Sequence, residues 1–298
     1  MEKKIKLLDQ LKERQTNYEN KLQDLHKQIK QIEEQIEKQK KNESITKQQI
    51  VDLFINNIKG KKYSQHQKNH DGSEGHWIEK LMNLEQNSNN QPDIGGYEMK
   101  KNSSKITFGD WAADEYLFSE NHTMIDQINN NSITISKRQF MEQFGNYNTE
   151  KDRYSWSGSC VPKYGKWNKC GQILRIDEQQ NILAIYSYKK DKRNKLIQYS
   201  NDTEICIAFW SKTKMENHVN NKFNQKGFFI CMKNRHGIYD KICFGSPITY
   251  ELFIEKIISG DIFFDSGMHY DEKKPNNRYY SHWRANQKFW NDLLIEEY

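Results

Sequence analysis

The sequence predicts a mixed α/β fold, with a sheet flanked by helices, carrying an amino-terminal coiled-coil helix. Three patterns predict it: a heptad over residues 1–43, a capped amphipathic helix directly after it, and β-branched or aromatic runs alternating with helical sequence farther on. In the heptad, Leu8, Leu11, Gln15, Tyr18, Leu22, Leu25, Ile29, Ile32 and Ile36 alternate spacings of three and four with no Gly or Pro. Such a seam stays wet on an isolated helix. Residues 1–43 are therefore expected to pair with a second copy of the chain as a homodimer, with packing onto the chain's own domain as the alternative. Gln15 would fix the register.

Residues 44–298 are expected to form one domain. Thr46 and Gln49 have the spacing of a capping box, and Ile50, Val51, Phe54, Ile55 and Ile58 then make one apolar face. The polar stretch 60–75 reads as a loop; its His66 and His70, with His76 just beyond, lack regular metal-ligand spacing. Trp77, Ile78, Leu81, Met82 and Leu84 mark another helix, with Glu79 on its flank. Strands are predicted over 172–176, 182–188, 203–210 and 227–233, with a helix over 214–223.

Composition permits much and decides little. A net charge of +6 and a pI near 8.8 are compatible with nucleic acid but modest for 298 residues. The mean hydropathy of -1.04 reflects abundant Lys, Asn, Gln and Glu. No apolar run is long enough to span a membrane, and the charged amino terminus lacks a signal-peptide core, so a cytoplasmic protein without a membrane partner is expected. Five scattered cysteines then read as reduced, mostly buried thiols.

The chemistry concentrates at Pro92-Asp93-Ile94-Gly95-Gly96-Tyr97-Glu98-Met99-Lys100. On a strand, Tyr97 and Met99 face one side, while Glu98 and Lys100 emerge together on the other. The glycine-bearing gap reads as a turn or distorted strand able to bring the Asp93 carboxylate back beside Glu98. Two adjacent carboxylates repel unless a hard cation lies between them, and Mg²⁺ favours one or two carboxylates plus water and phosphate oxygens. Such an ion neutralises a scissile phosphate and lowers the pKa of a bound water, and a neighbouring lysine can orient that water. The alternative is that Glu98 and Lys100 are the solvated face of an edge strand.

A glycine-led helix with a glutamate (75–81), an Asn-rich approach (87–90), Pro92-Asp93-Ile94, Glu98-Met99-Lys100 and then Ser104-Lys105-Ile106-Thr107-Phe108 follow one another in order. This succession resembles the PD-(D/E)XK nucleases, specifically the branch containing MutH and the MvaI-, BcnI- and LlaMI-like type II restriction endonucleases. Met99 stands where a leucine or valine is usual. The resemblance implies a restriction-endonuclease-like core, Asp93 and Glu98 as Mg²⁺ ligands, Lys100 as catalytic lysine and Glu79 as an auxiliary acid. It also implies double-stranded DNA as substrate, cut at a short site of CC-x-GG type, and a cognate DNA methyltransferase in the host as a functional, not physical, partner. The alternatives are a MutH-like nicking or repair nuclease and a non-enzymatic coiled-coil DNA-binding protein.

Within that reading, the late polar sequence carrying Asp265, His269, Arg278 and Arg284 looks loop-like and suits base recognition, since Arg can bridge guanine O6 and N7 and Asp can accept from cytosine N4. The run 189–195, with Lys189 and Lys190, reads either as a solvated hairpin tip or as a phosphate contact. Lys163, Lys166 and Lys169 admit the same two readings.

Overall fold

The computed structural model describes residues 1–64, 72–84, 90–193, 204–271 and 280–298. His66, His70, residues 87–89, residues 194 and 195 of the lysine run, and Arg278 lie outside them. Helix α1 (Glu2–Glu43) leads into α2 (Lys47–Asn57) and α3 (Ser73–Leu81). Next come β1 (Glu98–Lys101), β2 (Lys105–Asp110), β3 (Glu115–Tyr116), α4 (Thr123–Asn129), α5 (Lys137–Phe144), β4 (Asn146–Asn148) and β5 (Arg153–Ser157). The middle holds β6 (Cys170–Ile176), β7 (Ile182–Asp191), β8 (Ile205–Trp210), α6 (Lys212–Phe223), β9 (Phe228–Lys233) and β10 (Tyr239–Gly245). The chain closes with α7 (Tyr250–Ser259), β11 (Ile262–Tyr270), β12 (Ser281–Asn286), α8 (Gln287–Asp292) and β13 (Leu294–Glu297).

These strands form three sheets. The order β1-β9-β10-β13 is mixed, because β1 runs parallel to β9 while the other pairs are antiparallel. A parallel pair needs a long crossover, and most of the domain is threaded between β1 and β9. The antiparallel orders β2-β12-β11-β5-β4 and β3-β8-β7-β6 complete the domain.

Strand β9 separates two apolar cores. Phe229 and Cys231 face a cluster built with Ile50, Val51 and Phe54 of α2, Ile78 of α3, and Tyr97 and Met99. Phe228 and Ile230 face the larger cluster, which includes Phe108, Phe223, Trp283 and Trp290. The predicted capping box holds α2 as expected: Gln49 N–H donates to the Thr46 hydroxyl, and Thr46 N–H to Gln49 Oε1 at 2.8 Å. Each fully buried Ile or Phe of α2 contributes roughly 1.5–3 kcal/mol, enough to hold an 11-residue helix that would be marginal alone.

Three expectations need correction. The segments around Asp265 and Arg284 are not loops but β11 and β12, paired from Ile262↔Ala285 to Ser266↔Ser281. Cys160 and Cys170 are not thiols: they form a disulfide with Cα atoms 5.2 Å apart. Asn168 folds that loop back, accepting from Cys170 N–H and Gln172 N–H while donating to Val161 O; Cys206, Cys231 and Cys243 are buried thiols as expected. The lysine run is also more than a hairpin tip. Lys189 and Lys190 are exposed at the end of β7, but Arg193 turns inward to bond Asp191 and the carbonyls of Gln143 and Gly145.

The heptad seam of α1 is exposed. None of its residues is buried, and Leu8, Leu11, Tyr18, Leu22, Leu25, Ile29, Ile32 and Ile36 are each 47–70% exposed. Among the described residues the seam is not covered by the chain's own domain.

Candidate active site

The site starts from a reversal of the chain. Gly95 and Gly96 have φ of +57° and +81°, the two positive values that a primed two-residue turn requires. Ile94 and Tyr97 flank the turn and exchange backbone hydrogen bonds of 3.1 and 2.8 Å. The turn delivers Asp93 to the free edge of β1. There its Oδ2 accepts from Met99 N–H at 2.8 Å, the donor that points away from β9.

Alternation along β1 is as predicted, but the second face is not solvent. Tyr97 and Met99 enter the smaller core, while Glu98 is 3% and Lys100 9% exposed. Lys100 Nζ donates to Glu98 Oε1 at 2.8 Å, lies near the Phe108 carbonyl at 3.4 Å, and sits 5.1 Å from the centre of the Phe223 ring. A solvated edge strand would leave these groups wet. Here β1 is an edge strand with buried charges, which calls for a reason beyond folding.

A second cation joins them that the sequence reading missed. Lys222, on α6, places Nζ 3.1 Å from the same Glu98 oxygen. Asn90 fixes the approach of that helix: it donates to His218 O at 2.8 Å and accepts from Trp111 Nε1 at 2.9 Å, while the Trp111 ring stacks on His218 at 5.2 Å. Lys222 follows His218 by one helical turn and so shares its side of α6. Nothing local marks Lys222, which is one lysine among many and far from Glu98 in sequence.

The electrostatics are those of two carboxylates and two ammonium groups crowded into little solvent. Burial and then the Glu98 charge push the Asp93 carboxyl up to about 7, against the pull of Lys222. Burial draws the Lys100 ammonium below the usual lysine value, opposed by Glu98. Glu98 Oε2 is buried with no hydrogen-bond partner. An orphaned carboxylate oxygen near a second carboxylate is an all-oxygen donor set, which fits a hard divalent cation. Among the described residues no group of three or more His, Cys, Asp or Glu is placed to hold an ion. Two carboxylates leave the remaining positions to water and phosphate oxygens, the pattern Mg²⁺ tolerates.

A sequence model of the LlaMI restriction endonuclease family matches residues 55–298. The chain belongs to that family. It is 38% identical over 271 residues to the type II restriction enzyme ScrFI of Lactococcus lactis subsp. cremoris, covering 84% of this chain and 97% of that enzyme. The fold resembles the restriction endonuclease MvaI in complex with its cognate DNA, with a TM-score of 0.54 at 14% identity over 86% of this chain and 99% of the other. The LlaMI-family chain is thus a type II restriction endonuclease that cleaves DNA site-specifically, and the non-enzymatic reading falls. Helix α1 lies outside the matched region.

The remaining predicted site residues of this LlaMI-family enzyme fare unequally. Glu79 is not drawn into the cluster: it is half-buried, and its carboxylate pairs with His76 on its own helix at 3.0 Å. The less exposed acid of α3 is Glu74, which binds Lys101, Lys233 and the Tyr239 hydroxyl and so ties α3 to the sheet. Asp265, His269 and Arg284 do share a surface. Inward residues Phe264, Ser266 and Met268 of β11 and Trp283 of β12 leave those three on the outer, half-exposed face, together with Thr107 of β2. Arg284 Nη1 lies 3.4 Å from Asp265 Oδ2, while its Nε is buried without a partner.

Proposed function

We propose that this enzyme hydrolyses both strands of double-stranded DNA at a short G·C-rich site, of CC-x-GG type, with Mg²⁺ held by Asp93 and Glu98. The observation that carries the reading is the cluster of buried Glu98 and Lys100 with half-buried Asp93 and Lys222, with one carboxylate oxygen left unpaired. Bound Mg²⁺ would supply charge neutralisation at the scissile phosphate and promote ionisation of the attacking water. Lys100, held against the Phe108 carbonyl, orients the water or the phosphate; Lys222 adds positive charge near the phosphoryl oxygens on which negative charge develops.

Asp265 and Arg284 place an acceptor beside a donor fork. That order matches the major-groove edge of a C·G pair, where the cytosine N4 amino group adjoins guanine O6 and N7. His269 extends the same face, and Arg278, outside the described residues, is proposed as a base contact from its sequence context. Lys189 and Lys190 contact phosphate. In the host the partner activity is a cognate DNA methyltransferase. Digesting sequenced genomic DNA with the purified chain and Mg²⁺, then sequencing fragment ends, should give discrete ends at one G·C-rich motif. Nicks alone, or cutting that requires a second protein, would return the MutH-like reading.

Helix α1 is assigned to homodimer formation through residues 1–43, its partner being the same seam on a second copy. Eight apolar side chains on each copy, at roughly 1.5–3 kcal/mol each when fully buried, supply the driving force for pairing. In the full-length chain, L22K with I29K should convert a dimer to a monomer by light scattering and make nicked circles accumulate before linear plasmid. A wild-type chain that is monomeric at micromolar concentration removes the dimer assignment.

A further inference from the structure

We infer that Asn42, in the last turn of α1, is a positioning residue for the metal site, an inference that rests on the reading of Asp93 and Glu98 as metal ligands. Its Nδ2 donates to the Asp93 carbonyl at 3.1 Å, and its Oδ1 accepts from Gly95 N–H at 2.9 Å. One side chain therefore grips both ends of the Asp93-Ile94-Gly95 segment. Met99 N–H grips the Asp93 carboxylate from the other side.

The turn needs such a grip. Gly95 and Gly96 in succession are the residues with the widest backbone freedom, so the local sequence does little to hold Asp93 in place. Close packing helps at one point: a Cβ on Gly95 would lie 2.6 Å from the Ile45 carbonyl oxygen, just beyond the end of α1. Ile45 N–H in turn bonds the Asn42 carbonyl at 3.1 Å. The end of the coiled coil and the turn bearing Asp93 are thus built as one unit. A domain boundary between residues 43 and 44 leaves Asn42 on the helix side although its side chain serves the nuclease side.

Asn42 touches neither DNA nor the ion, so its loss should act on metal affinity and spare DNA binding and maximal rate. The test uses the full-length chain with N42A and N42L, both good helix formers, the second of nearly the original shape. Removing two hydrogen bonds should raise the half-saturating Mg²⁺ concentration for cleavage about tenfold. The rate at saturating Mg²⁺ should stay within about threefold of wild type, since the reacting groups are untouched. The thermal midpoint should fall by no more than about a few degrees, and metal-free DNA affinity should hardly move. Calorimetric titration with Mn²⁺ in the absence of DNA gives the independent readout, with E98A as control. Weaker Mn²⁺ binding by both Asn42 variants, with none by E98A, supports the inference. Equal affinity in wild type and the Asn42 variants overturns the clamp while leaving the metal site standing. Binding that survives in E98A overturns the metal reading itself.

Discussion

Glu98→Ala and Glu98→Gln should each lower cleavage by at least about a thousandfold, because the carboxylate is both the anion facing Asp93 and the counter-charge of two lysines. The glutamine keeps a hydrogen-bond acceptor for Lys100 and so keeps the fold. Alanine leaves buried ammonium groups unpaired, a defect that costs about 3–5 kcal/mol where burial is complete. Both variants should still bind target DNA in a gel shift with Ca²⁺ in place of Mg²⁺. Lys222→Ala should be milder, since Lys222 is the more exposed of the two cations. Cleavage near the wild-type rate by Glu98→Gln would sink the site.

The largest loss of stability is expected from Phe108→Ala. Phe108 is fully buried, with its ring against those of Trp111, Phe223, Phe253, Phe289 and Trp290, and its carbonyl near Lys100 Nζ. Truncation removes the ring and leaves a cavity among rigid neighbours, so unfolding free energy should fall by about 3–5 kcal/mol. Urea denaturation at constant m-value measures it. Phe108→Leu should recover most of that loss. A Phe108→Ala midpoint equal to wild type would mean the aromatic cluster is far looser than its contacts imply.

Much of this was legible in the sequence because it is local. The period of two around Met99 predicted which side chains of β1 share a face, and the Thr46 and Gln49 spacing predicted the start of α2. Strands β6 to β9 and helix α6 announced themselves by apolar runs. Strands β11 and β12 did not, because their outward positions carry Asp265, His269, His282 and Arg284, and polar residues on a half-exposed face dilute the strand signal. Lys222 and Asn42 were invisible for another reason: each acts through a contact with a residue distant in sequence, and neither residue type is unusual where it stands. Glu79 shows the converse, a plausible residue type on the expected helix whose carboxylate pairs with its neighbour His76.

The length of α1 carries a geometric consequence. Forty-two residues at 1.5 Å rise make a rod of about 63 Å, close to two turns of B-form duplex. If two such rods pair in parallel, both nuclease domains hang from the same end and can straddle one recognition site. An antiparallel pair holds them at opposite ends, separated by roughly eighteen base pairs at 3.4 Å each, and each domain then meets different DNA. In the proposed dimer, helix direction, set by the polar position Gln15 and the charges flanking the seam, would decide whether the enzyme acts on a solitary target or must bridge two.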